Sequence, residues 1–192
     1  SLPCVRSGGG SGRGPTSPNS LPIRTHAVTL PQLDLFPRPV PPRGSELAAE
    51  VTAEISSLAA RLSPSIRLGT SSWSFPGWAG IVYSRQASQA RLAREGLAAY
   101  ARHPLLRTAG VDRTYYAPMT AGDLAAYADD VPDDFRFIVK AHEHCTTARF
   151  PMHERYGAQR GKANTVCLDA AYASNEVAGP VLEGLGGKAG AI

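Results

Sequence analysis

The sequence predicts an α/β fold built on a parallel sheet. From residue 66 onward, short apolar runs alternate with longer segments of helical periodicity, the pattern of βαβ units whose crossovers share one hand. Each apolar run also ends in a glycine-rich or polar tip, as in "IRLGTSS", "LLRTAGVD" and "FRFIVKAHEH".

The elements follow in order. Residues 1–45 hold prolines in runs such as "PRPVPPRG", a composition that forms no packed core and reads as a disordered, basic tail. Residues 46–63 read as an amphipathic helix, with Ser45 as N-cap and Leu47, Val51, Ile55, Leu58 and Leu62 at three- and four-residue spacing. Pro64 stops it. "IRLGT" is then a first strand and "QARLAREGLAAYARH" a helix ending before Pro104. "LLRTAGV" is a second strand, and "TAGDLAAYADD" a helix capped by Thr120. "FRFIVKA" is a third strand, "TVCLDAAYASNEVAGPVLEGL" is largely helical, and "GKAGAI" begins a fourth strand. A chain stopping there reads as C-terminally truncated.

Charge and cysteine usage narrow the function classes. The net charge is +4 over 192 residues. Arg6, Arg13, Arg24, Arg38 and Arg43 against Asp34 place that excess in the tail, leaving 15 basic and 15 acidic residues beyond it. The folded part therefore has no net field to attract nucleic acid. No stretch approaches the roughly 18–20 apolar residues that span a bilayer, so no membrane contact is expected. Three cysteines, an odd and sparse set, argue against a disulfide scaffold and for a cytoplasmic location.

"IRLGTSSWSFPGWAGIVY", "HPLLRTAGVDRTYYAP" and "VPDDFRFIVKAHEHCT" occur in that order, and together they resemble the YecE-like family, domain of unknown function 72. The likeness covers about residues 66–192. It implies a parallel (β/α) barrel of the TIM type, with roughly the first half and about four strands present, and no established reaction. It also implies a carboxylate where this chain has Gly110.

In such barrels, functional groups stand at the strand C-terminal ends. Thr108, Gly110 and Asp112 share a face by the period-two rule, and so do Lys140 and His142. A lysine interrupting an apolar strand needs a partner or a task. Asp112, on the adjacent strand, is the expected partner. Lys140, Asp112 and Tyr115 are therefore the candidate catalytic residues, with Lys140 read as either a base or Schiff-base former or one half of a charge pair. Trp73, Tyr116, His142 and Glu143 are candidate ligand contacts, since aromatic planes beside a polar floor suit sugars or bases. Trp78 is read as packing. His142 and His144 lie two apart, but zinc or iron sites want three or four ligands and no second cluster exists, so no metal is assigned. No phosphate loop or nucleophile elbow is present, and the cofactor is unknown.

The tail holds one further feature. Gln32, Leu33, Leu35 and Phe36 belong to "QLDLF", which resembles the pentapeptide that docks bacterial replication and repair proteins on the sliding clamp. A flexible arm would present Leu35 and Phe36 to an apolar pocket. The sequence thus supports an enzyme-like barrel pocket, with hydrolase or lyase chemistry on a sugar or nucleotide-like ligand. The alternatives are a clamp-recruited, nucleic-acid-associated accessory protein and an inactive fragment.

Overall fold

Sheet formation here starts from short β-rich runs. In the computed structural model, which describes residues 45–192, they become β1 (Leu68–Thr70), β2 (Leu106–Val111), β3 (Arg136–Val139) and β4 (Ala189–Ala191). All pair in parallel in the order β1-β2-β3-β4, giving an open four-stranded sheet. The tail residues 1–44, including Gln32, Leu33, Leu35 and Phe36, lie outside the described residues.

The helices are α1 (Ala53–Arg61), α2 (Gln89–Glu95), α3 (Leu97–Ala101), α4 (Arg113–Tyr116), α5 (Ala121–Asp129), α6 (Ala170–Tyr172) and α7 (Gly179–Leu185). Thr120 caps α5 as expected, accepting a 3.1 Å bond from the Asp123 amide. Between α6 and α7 the backbone widens into a π-helical turn, Ala173–Ala178. Pro180, which has no N–H for a regular helix bond, explains the widening.

The first helix departs from the expected 46–63. Ser45 begins only a single 3₁₀ turn, Ser45–Leu47, and Thr52 is the true cap, accepting from the Ile55 amide at 3.3 Å. Leu47 is the cause. Its side chain is fully buried, and its segment pairs with the chain near Tyr83 through Ser84 N–H to Leu47 O (2.8 Å) and Ala49 N–H to Val82 O (3.0 Å). Burying a leucine outweighs two turns of surface helix. None of α1 itself is buried.

The core lies on the helix side of the sheet. Ala109 and Val111 on β2, paired with Phe137 and Val139 on β3, pack with Leu97, Tyr100, Leu124, Val181 and Leu185. The opposite face carries Thr108 and Gly110 beside Arg136 and the half-exposed Ile138. Tyr100 ties β1 to β2, donating to Thr108 O (3.0 Å) and accepting from the Thr70 amide (3.0 Å). The strands approach so closely there that a Cβ on Gly69 would stand 2.0 Å from Thr108 O. Arg107 pairs with Asp134 at 2.7 Å where β2 and β3 begin, as befits a surface charge away from the strand tips.

Candidate functional site

Register carries the polar tips of β2 and β3 to a common edge. Gly110 pairs with Ile138 and Val111 with Val139, so the next residues along, Asp112 and Lys140, emerge side by side. Their charged atoms lie 3.1 Å apart, and both side chains are partly solvated. Asp112 precedes α4 in the N-cap position, yet its carboxylate makes no capping bond. Thr114 anchors the turn instead, with Oγ1 2.7 Å from the carbonyls of both Val111 and Lys140. The Asp112 carboxylate is thereby left for Lys140.

Tyr115 and Tyr116 follow on α4 with their rings edge to face, 5.2 Å apart. Lys140 Nζ lies 5.8 Å from the Tyr115 ring centre, and the Arg155 guanidinium 5.4 Å from that of Tyr116, both within cation–π range. Tyr116 is exposed, as a ligand wall would be.

Glu143 is buried and not open to a ligand. Arg155 Nη2 meets its carboxylate at 2.5 Å and the Tyr156 hydroxyl donates to it at 2.9 Å. Arg155 also bonds to the Tyr156 hydroxyl, and that bond, then the Glu143 charge, raises its pKa. Arg155 and Tyr156 arrive on the irregular turn Glu154–Gln159, whose sequence has no periodicity to announce them.

His142 likewise is buried, with Nδ1 2.6 Å from the Tyr172 hydroxyl. Burial, then the neighbouring His144, holds its pKa below the ordinary imidazole value. It is therefore a neutral ring at neutral pH. The His142 and His144 rings lie 4.3 Å apart, and His144 meets Phe150 edge to face at 4.8 Å. Burial pushes the Tyr172 phenol and the Cys145 thiol upward. Among the described residues no group of three or more His, Cys, Asp or Glu side chains is placed to hold a metal ion.

Trp73 does not stand at the mouth as an exposed wall. It is buried in the core, edge to face with Tyr127 at 5.0 Å, its Nε1 3.4 Å from Ala93 O. Tyr83 donates to its carbonyl and fixes the loop. Trp78 packs beside Phe75 and Tyr100. A cavity of about 430 Å³ opens beside Trp73 and reaches Gly110 and Asp112. Gly110 lies so near the loop after β1 that a Cβ would stand 2.7 Å from Ser71 O. That contact fills the place where the resemblance implied a carboxylate.

The family model "Protein of unknown function DUF72" matches residues 67–191. Two crystal structures of a DUF72 family protein from Enterococcus faecalis V583 are similar. The one at 3.10 Å resolution is 20% identical, covers 64% of this chain and 36% of that one, and has a TM-score of 0.38. The one at 2.52 Å is 21% identical, covers 48% and 32%, and has a TM-score of 0.30. The matched stretch thus spans about a third of those chains. No curated protein matches. Among the described residues, no helix is long and apolar enough to cross a membrane. With the model match running through every strand, the chain belongs to the DUF72 family of proteins of unknown function.

Proposed function

We propose that the C-terminal ends of the parallel strands form an enzyme-like pocket for a small polar ligand, with Lys140 and Asp112 as its charged contacts. The observation that carries this reading is the Asp112 carboxylate, which stands before a helix, declines to cap it and turns to Lys140. A carboxylate needed only to hold the turn would bond to the turn's own amides. Tyr115, beneath the ammonium, supplies a phenol able to donate or accept at a bound hydroxyl. Tyr116 supplies the flat exposed wall.

Of the two roles open to Lys140, the charge pair is favoured. Its side chain is 57% exposed, and the desolvated setting that activates a nucleophilic amine is missing. A sugar or nucleotide-like ligand would offer its hydroxyls or anionic groups to this pair. Hydrolase or lyase chemistry, with Asp112 and Tyr115 moving the proton, is the reaction class such groups serve. A thermal-shift screen of small metabolites tests the reading. Compounds that stabilise the protein should lose that effect in Lys140→Ala, and full retention by the variant would refute it.

The tail pentapeptide favours a second reading, in which Gln32, Leu33, Leu35 and Phe36 bring the domain to the sliding clamp. Its support is sequence alone: an apolar pair inside a Pro-rich stretch. Capture of the purified clamp by the tail peptide, abolished by Leu35→Ala and Phe36→Ala, is the expected result. Equal capture by both variants ends the idea.

A further inference from the structure

We infer that the cavity beside Asp112 takes the anionic group of a small organic phosphate whose ring lies toward Trp73 and Tyr127. This deepens the proposed pocket and rests on it, because Asp112 borders both. Size is the first argument. At about 430 Å³, the cavity falls in the range of small-molecule sites, roughly 300–1,000 Å³, and has room for a mononucleotide or a sugar phosphate.

Charge is the second. Arg94, from α2, and Arg113, the first residue of α4, line the cavity from two different elements. Among the described residues Arg113 has no carboxylate within ion-pair distance. The nearest carboxylate to Arg94 is Glu95 at 3.9 Å, and Glu95 is already engaged by Arg91 at 2.9 Å. Asp112 is the one acidic residue among those lining the cavity, and Lys140 neutralises it. The cavity therefore carries uncompensated guanidinium charge, whose planar fork matches phosphate oxygens.

Lining chemistry is the third. Ser72 and Ser74 bond to each other through their hydroxyls at 3.0 Å, Ser72 Oγ also accepts from the Ser74 amide at 3.2 Å, and Ser74 Oγ keeps a lone pair for a ligand donor. Trp73 and Tyr127, edge to face at 5.0 Å, also line the cavity and offer apolar surface to a sugar or base ring.

The chain's two tryptophans make the test direct. In a Trp78→Phe background, Trp73 is the single fluorescent indole. Its emission is followed while inorganic phosphate, ribose 5-phosphate, adenosine 5′-monophosphate or adenosine is added. Saturable changes are expected with the organic phosphates, and adenosine should bind at least about tenfold more weakly than its monophosphate, because charge-assisted bonds are lost. Arg94→Gln and Arg113→Gln should each raise the Kd about tenfold on the same ground, while Arg107→Gln, at the other end of the strands, leaves it unchanged. Equal affinity in both arginine variants, equal binding of adenosine, or no saturation by any probe overturns the inference. Lys140→Ala separates the two claims. Loss of binding in the arginine variants but not in Lys140→Ala supports the cavity and removes the role of Lys140. The reverse pattern removes the cavity and keeps that role.

Discussion

The Asp112 carboxylate and the Lys140 ammonium stand 3.1 Å apart across the tips of two neighbouring parallel strands. Register alone brings them there, since Gly110 faces Ile138 two residues earlier. Solvent reaches both partners, so the pair contributes little to folding, under about 1 kcal/mol. Lys140→Ala should accordingly leave the urea midpoint almost unchanged while removing ligand-induced stabilisation. A large loss of stability would mark the pair as a structural clasp.

Arg155 should behave in the opposite way. Its guanidinium covers the buried Glu143 carboxylate, and its removal strands that charge beside Tyr156. Arg155→Ala is expected to cost about 1–3 kcal/mol by urea denaturation, the range for a buried polar group left short of a partner that water can partly replace. Glu143→Gln, which keeps the bond from Tyr156, should cost less than Arg155→Ala.

The pH dependence of stability should carry the signature of His142. Its folded pKa lies below the unfolded value, through burial and then His144. Unfolding therefore takes up a proton in the interval between the two. The contribution is complete above the unfolded imidazole pKa of about 6.5 and is lost as the pH falls below it. Glu143 and Glu176 act on the ring in the opposite sense without reversing this direction. Urea midpoints should fall between about pH 7.5 and about pH 5.5, with a shallower fall in His142→Gln. Some slope should persist in that variant, because burial also lowers the pKa of His103. An identical slope in both proteins would contradict the assignment.

Gly110 offers a steric test. A methyl group there meets the Ser71 backbone, 2.7 Å from its oxygen and 3.0 Å from its Cα, and backbone does not yield as a flexible side chain would. Gly110→Ala should cost about 1–3 kcal/mol and shift the loop that carries Trp73, seen as altered tryptophan emission. Gly110→Glu, restoring the carboxylate that the family resemblance implies, should be worse tolerated still.

Legibility in the sequence followed periodicity. Alternation in "LLRTAGVD" and "FRFIVKAH" places Asp112 and Lys140 on one face, and parallel pairing does the rest. Thr120 announces its helix because capping is local. Leu47 defeats the same logic at Ser45, since its burial depends on Val82 and Ser84, far along the chain. Trp73 reads as a mouth aromatic until Tyr127 and Tyr83 draw it into the core. Arg155 is illegible for another reason: an irregular turn delivers it, and such a turn has no sequence period. Glu143 and His142 therefore read as polar strand tips, and only the fold shows that they are buried.

The most direct test of the shared rim compares the two ends of the same strands. Lys140 marks the C-terminal end beside Asp112, and Arg107, paired with Asp134, marks the opposite end. Saturation-transfer NMR with a mixed library of sugars, nucleosides and their phosphates should give signals with the native chain and with Arg107→Ala, and none with Lys140→Ala. Signals that survive Lys140→Ala but vanish with Arg107→Ala would place the ligand at the wrong end of the sheet and contradict the account.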